Sequence, residues 1–172
     1  MLEHTIWYQK YEPKTLDPCF LPAKMTKALK SYVRKKDVPN LILSGPAGIG
    51  KSTAARVVLD LIGAEYMKIN GSIDGDISTL RTRITQFAST MSFNGGKKYV
   101  LVDEADGMTL AAQTALRGFM DEYSANCGWI FTCNYREKIL APIAESRMTE
   151  LSFMFEREER PELGRKLYER LM

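Results

Sequence analysis

The chain is short of cysteine, of long apolar runs and of net charge, and each shortage excludes something. Its 172 residues include three cysteines, Cys19, Cys127 and Cys133. The number is odd and no two form a C-x-x-C pair, so neither a disulfide framework nor a zinc site is indicated. No apolar stretch approaches the ~18 residues of a membrane span; the best, Val57 to Ala64, is broken by Asp60. The opening Met1-Leu2-Glu3-His4 has neither the basic start nor the apolar core of a secretory signal. These absences predict a reduced, cytoplasmic protein without a membrane partner. A net charge of +3 is too small to establish a nucleic-acid partner, although it is compatible with a local basic face. Internal repeats and low-complexity segments are lacking as well.

What remains is a composition of the ordinary globular kind, 45% hydrophobic and 26% charged, in a length that suits one domain with a real core. Pro13, Pro18 and Pro22 make residues 1–22 an extended leader rather than a helix. Helical spacing of apolar residues follows from Ala23 to about Lys36. Short apolar strands, Leu41–Ser44, Tyr66–Asn70, Tyr99–Asp103, Trp129–Cys133 and Leu151–Phe153, then alternate with helices. The helices are expected at Lys51–Ile62, Ile77–Met91, Thr109–Tyr123 and a short turn near Pro142–Ala144. The alternation predicts an α/β domain with a parallel sheet covered on both faces. Residues 1–155 form the expected main domain, and a last charged helical stretch, 156–172, carries Leu163, Leu167 and Leu171 as a narrow stripe that wants a partner surface.

Between the first strand and the second predicted helix stands Gly45-Pro46-Ala47-Gly48-Ile49-Gly50-Lys51-Ser52, followed by Thr53. This is a complete G-x-x-x-x-G-K-[ST] phosphate-binding loop in a strand–loop–helix context. Gly45, Gly48 and Gly50 let the backbone turn its N–H groups inward, Lys51 supplies charge for β- and γ-phosphates, and Ser52 offers a hydroxyl to Mg²⁺. A helix N-terminus completes an anion site. The expected ligand is therefore a nucleoside triphosphate, ATP, with Mg²⁺.

A second constellation follows the strand Tyr99-Val100-Leu101-Val102, which delivers Asp103 and Glu104 at its carboxyl end. Asp103 suits Mg²⁺, and Glu104 suits orienting and deprotonating an attacking water. The competing expectation is that the two acids cap the next helix. Asn134, at the end of the next strand, is either a hydrogen-bonding partner of the γ-phosphate and lytic water or a turn former. Arg147 is either an arginine finger reaching a neighbouring subunit or a solvated surface charge.

Taken together, Gly45–Ser52, Val100–Glu104, Thr132-Cys133-Asn134 and Ser146-Arg147 resemble the AAA+ ATPases of the sliding-clamp-loader group. The leader Trp7-Tyr8-Gln9-Lys10-Tyr11-Glu12-Pro13 is similar to that group's opening, which folds over the adenine and so implicates Tyr8 and Tyr11. Asn70-Gly71-Ser72 with Leu80–Ile84, and Gln113–Arg117 with Met120, resemble further motifs of the group. Phe87-Ala88-Ser89, Ser92-Phe93 and Phe119–Cys127 are most similar to the large subunit of T-even-type bacteriophage clamp loaders. The resemblance covers about residues 6–155. It implies a sheet of order 5-1-4-3-2, the start of a helical lid, and Mg²⁺-dependent ATP hydrolysis that loads a clamp onto primer–template DNA.

On the same resemblance, Glu104, Asn134 and Arg147 are the catalytic candidates. The partners would be other clamp-loader subunits, the sliding clamp and DNA, in the host cytoplasm if the chain is phage-encoded. Arg81, Arg83 and Arg117 would face the DNA backbone. Glu12, Gly75 and Met148 depart from the group's pattern, the first two where an arginine is usual and the third where a cysteine is. Two other classes compete: a non-catalytic ATP-dependent interaction module lacking lid and collar, and a self-contained phosphate-loop NTPase or small-molecule kinase.

Overall fold

Short apolar strands whose side chains point alternately up and down need a covering layer on each face, and the helices supply both. The computed structural model describes residues 13–73, 77–92, 95–157, 159, 161, 164, 165 and 168. In chain order the elements are α1 (Ala23–Lys35), β1 (Leu41–Ser44), α2 (Lys51–Ile62), β2 (Tyr66–Asn70), α3 (Ile77–Ala88), β3 (Lys98–Asp103), α4 (Leu110–Glu122), β4 (Cys127–Cys133), α5 (Ala141–Ala144) and β5 (Thr149–Ser152). Two 3₁₀ turns, Ala105–Gly107 and Arg136–Lys138, follow β3 and β4. The five strands are parallel and pair in the order β2-β3-β4-β1-β5, which is 5-1-4-3-2 read from the other edge. The expected fold class and strand order are both observed.

The alternation within single strands builds two cores. Val100 and Val102 of β3, with Trp129 and Phe131 of β4 and Ile42 of β1, pack against Leu80 and Ile84 of α3 and Leu116 of α4. Tyr99, Leu101, Ile130, Leu41 and Leu43 point the other way, against Leu29 of α1 and Val58 and Leu59 of α2. β1, β3 and β4 are buried along their whole length, whereas the edge strand β5 is mostly exposed.

Several boundaries differ from the sequence expectation, for local reasons. β4 begins at Cys127 instead of Trp129, because Lys98 and Tyr99 of β3 pair with Cys127 and Gly128, and a Cβ on Gly128 would collide with the Tyr99 ring. β3 begins at Lys98, whose buried amine donates to Thr90 Oγ1 at 2.6 Å and to the Phe87 carbonyl at 3.3 Å. That capture occurs just past the end of α3, which stops at Ala88 short of the expected Met91. β5 lies at Thr149–Ser152 rather than Leu151–Phe153, and Phe153 instead plugs the core immediately after the strand. Asn40 ties the sheet together at the start of β1: its Oδ1 accepts from Trp129 N–H at 2.9 Å and its Nδ2 donates to the Arg147 carbonyl at 3.2 Å.

Among the described residues no helix is long and apolar enough to cross a membrane. The leucine stripe of Leu163, Leu167 and Leu171 lies outside the described residues. The segment after β5 closes over α1, where Glu159 Oε1 accepts the Ala23 N–H at 2.9 Å and Glu156 Oε1 accepts from Lys24 Nζ at 2.7 Å.

Candidate functional site

Register decides where the site lies. Ser44 at the end of β1 is paired with Cys133 at the end of β4, and Val102 of β3 is paired with Phe131 of β4. The carboxyl ends of β1, β4 and β3 therefore stand side by side, the position at which open α/β sheets bind ligands. The loop 45–50 leaves β1 there, and α2 starts at Lys51 after Gly50, whose φ of 92° is left-handed. Gly45 leaves the strand with its N–H donated to the Cys133 carbonyl at 3.2 Å. A Cβ on Gly45 would lie 2.9 Å from Phe153 Cβ, so close approach as well as its φ of 145° requires glycine.

The loop, α2 and the strand ends enclose a cavity of about 290 Å³ lined by Ala47, Gly48, Gly50, Lys51, Ser52, Thr53, Asp103, Glu104, Thr132, Cys133 and Asn134. Most of the residues predicted for the nucleotide and its metal thus converge on one space. Pro46 and Gly45 contribute their carbonyls, which accept from Lys51 Nζ at 2.7 and 2.8 Å. Ile49 is half-buried against the α1/α2 core and is not part of the cavity lining. Tyr8 and Tyr11 lie outside the described residues.

Lys51 is buried, and its third partner is Asn134 Oδ1 at 2.8 Å. Burial pushes the Lys51 ammonium below its ordinary value, against the opposing pull of Cys133, Asp106 and Asp103. A desolvated cation held by neutral oxygens is poised to gain from any anion that enters. Asn134 is fixed to that cation by its side chain, while its backbone N–H donates to Asp106 Oδ2 at 3.3 Å, beside the Tyr135 N–H at 3.1 Å.

Asp103 is the most heavily bonded acid of the site. Ser52 Oγ donates to its Oδ1, Thr132 Oγ1 donates to the same oxygen at 2.5 Å, and Lys68 Nζ lies 2.8 Å from Oδ2. Burial pushes this carboxyl up, but the bonds from Lys68, Ser52 and Thr132 outweigh it and leave its pKa below the usual aspartate value. The carboxylate is therefore ionised at neutral pH and shares contact with a hydroxyl, a pair of hard oxygen ligands of the kind Mg²⁺ takes alongside phosphate oxygens. The residues present fit that ion.

Glu104 is exposed and has φ 54° and ψ 45°, a left-handed conformation uncommon for a glutamate. Its N–H donates to Thr132 Oγ1 at 3.1 Å. Behind it, a Cβ on Gly71 would meet the Glu104 carbonyl oxygen at 2.5 Å. Neither Asp103 nor Glu104 caps the following α-helix; Thr109 does, accepting the Ala112 N–H at 3.2 Å. The capping alternative is thereby set aside by the geometry.

Arg147 is not part of this cavity lining. Its Nε and Nη2 engage the two oxygens of Asp121 at 2.8 and 2.9 Å, and its Nη1 donates to the Pro142 carbonyl at 2.5 Å and to Ser146 Oγ at 2.8 Å. Arg81 and Arg117 are exposed on α3 and α4, and the Arg81 guanidinium sits 5.8 Å from the Phe119 ring centre. Arg83, half-buried, reaches the Lys68 carbonyl at 3.4 Å.

Sequence reasoning passes over Lys68 and Asp106, and it assigns no role to Thr132 and Gln113 although both stand within the motifs that carry the resemblance. Gln113 is buried and joins α4 to the segment after β4, donating to the Lys138 carbonyl at 2.9 Å and accepting the Leu140 N–H at 2.8 Å. Thr132 carries a local signal, since it lies at the carboxyl end of β4, two residues before Asn134.

Comparison with known proteins bears on this geometry. A family model described as the ATPase family associated with various cellular activities (AAA) matches residues 41–156. The chain is 40% identical over 149 residues to the replication factor C small subunit of Sulfolobus acidocaldarius, covering 83% of this chain and 46% of that protein. It is 40% identical over 144 residues to the Archaeoglobus fulgidus replication factor C small subunit, covering 80% and 45%. The chain thus spans less than half the length of these relatives. The Thermotoga maritima RuvB Holliday junction branch migration motor superposes with a TM-score of 0.68 over 94% of this chain and 55% of RuvB, at 17% identity, a likeness of fold alone.

Proposed function

This chain belongs to the ATPase family associated with various cellular activities, and from that premise we propose that it binds and hydrolyses Mg-ATP as a subunit of a DNA-replication clamp loader. The observation that carries the nucleotide part is the junction of Lys51, Ser52, Asp103 and Asn134 in one cavity at the N-terminus of α2. The replication part is supported by the similarity to replication factor C small subunits across most of the chain. The resemblance of Phe87-Ala88-Ser89 and Phe119–Cys127 to a T-even-type phage subunit adds the finer proposal of a phage-type loader working in the cytoplasm.

In this reading the loop's N–H groups and the α2 N-terminus bind the phosphates, and Lys51 turns from Asn134 and the loop carbonyls to the β- and γ-oxygens. Ser52 and Asp103 would hold magnesium, which supplies charge neutralisation for those oxygens when bound. Glu104 accepts the proton of the attacking water, and Asn134 orients that water or the γ-phosphate. Tyr8 and Tyr11 cover the adenine. Arg147, outside its own chain's cavity, acts on the γ-phosphate of a neighbouring subunit. Arg81, Arg83 and Arg117 follow the DNA backbone without reading bases.

The test is hydrolysis with and without company. The isolated chain should turn over ATP slowly. Adding the remaining loader subunits, the clamp and primed DNA should raise the rate by on the order of 10³ or more, the scale of an arginine finger. Mixing in Arg147→Ala chains should suppress neighbours' turnover while the variant's own ATP affinity stays intact. Full-rate hydrolysis by a dilute chain, indifferent to partners and to Arg147→Ala, would contradict the assembly reading.

A further inference from the structure

Lys68 is a charged side chain in direct contact with the site's Asp103 for which phosphate binding and water activation provide no use. It lies on β2, paired in register with Leu101, and its stem runs along the sheet toward the β3 carboxyl end. There its ammonium lies 2.8 Å from Asp103 Oδ2, with the lysine side chain 48% exposed and the aspartate side chain 12% exposed. The other carboxylate oxygen, Oδ1, already accepts from Ser52 and Thr132. Asp103 therefore has one oxygen shared with the hydroxyl expected at the metal and the other committed to an internal cation.

We propose that Lys68 is a resident counter-ion for Asp103 that a divalent cation has to displace, so that it positions the carboxylate in the nucleotide-free site and sets the divalent concentration the site requires. The inference rests on the Mg-ATP reading of this cavity. The physical argument is competition for one charge. Ammonium and metal are both attracted to the same carboxylate, and the favourable energy of the first is lost when the second takes over. The lysine is free to leave, because its side chain is half-exposed and water can solvate the ammonium once it swings away. The carboxylate is not free to follow, since Ser52 and Thr132 hold its other oxygen. The Lys68 pair is thus the yielding contact in an otherwise fixed cluster. A side-chain pair of this exposure is worth up to roughly a 5-fold change in equilibrium.

The experiment measures divalent binding directly, using Mn²⁺ as the probe. Electron paramagnetic resonance of free Mn²⁺ gives the half-saturating concentration in the presence of saturating non-hydrolysable ATP analogue. Wild type, Lys68→Met, Lys68→Arg and Asp103→Asn are compared. Lys68→Met keeps the stem and removes the charge, and should lower the half-saturating Mn²⁺ by up to about 5-fold, leaving analogue affinity in EDTA unchanged. Lys68→Arg restores the charge and should return toward the wild-type value, which a merely structural role for the stem would not require.

An unchanged or weakened Mn²⁺ affinity in Lys68→Met, while Asp103→Asn loses Mn²⁺ binding, would overturn the counter-ion role and leave the metal-site reading standing. Mn²⁺ binding unaffected by Asp103→Asn would overturn both.

Discussion

Gly71 is where the backbone beneath Glu104 makes an exacting demand on a residue outside the phosphate loop. It follows β2, donates its N–H to the Asp103 carbonyl at 2.7 Å, and its φ lies outside the left-handed region, so its backbone conformation does not itself require glycine. What requires it is space. A Cβ would meet the Glu104 carbonyl oxygen at 2.5 Å, Met108 Cγ at 2.8 Å and Ala105 Cα at 3.1 Å. Relaxed carbon–oxygen contacts start at about 3.3 Å, so Gly71→Ala has to push the Glu104 peptide by roughly 0.8 Å. Glu104 is not slack: its carbonyl accepts the Gly107 N–H at 2.9 Å and its own N–H, in the preceding peptide, is held by Thr132. Overpacking of this kind costs about 1–3 kcal/mol. With a urea m-value of about 2 kcal/mol/M, the unfolding midpoint should fall by roughly 0.5–1.5 M. Displacing the base by that distance should lower turnover by about 10²-fold, while ATP affinity, which depends on the loop across the cavity, stays close to wild type. Urea titration and steady-state hydrolysis measure the two effects. A variant with wild-type midpoint and wild-type turnover would refute the close packing of Gly71 under Glu104 and its consequence for catalysis.

Two other outcomes follow from the site and the core. Glu104→Gln should retain ATP binding by calorimetry and lose hydrolysis by roughly 10²-fold or more, because the amide keeps size but cannot take a proton; unchanged turnover would remove Glu104 as the base. Burial pushes both the Cys127 and Cys133 thiols up to about 11, while Cys19 is only half-buried. At pH 8, below those values, both buried thiols remain protonated and shielded, so a chromogenic disulfide reagent should titrate one thiol rapidly in the native protein and three in urea.

Much of this architecture could be read from the residues because the signals were local. The runs Leu41–Leu43 and Val100–Val102 are buried on both sides and have no polar interruption, so their strands declare themselves. The loop 45–52 carries its chemistry in consecutive residues. Strand ends were less legible where a tertiary contact set them. Gly128 reads as a breaker but is the strand residue that makes room for Tyr99, and Thr149 and Glu150 look like loop because β5 is an exposed edge. Asp103 and Glu104 were identified, but their surroundings were not. Lys68, Thr132 and Asp106 lie 35, 29 and 3 residues from Asp103 in sequence, and only strand register and a 3₁₀ turn bring them to one place. No periodicity along the chain encodes that. Sequence leaves Arg147 between two roles, and in the structure this half-buried side chain is held in a defined position by its four contacts to Asp121, Pro142 and Ser146.

The central claim is that the cavity around Lys51 is a Mg-ATP site, and calorimetric titration of Mg-ATP into wild type and Lys51→Ala tests it most directly. The account predicts one site per chain in wild type. It predicts that the variant, with the buried ammonium gone from between Gly45, Pro46 and Asn134, no longer binds measurably while remaining folded by circular dichroism. Equal affinity in the two proteins would contradict it.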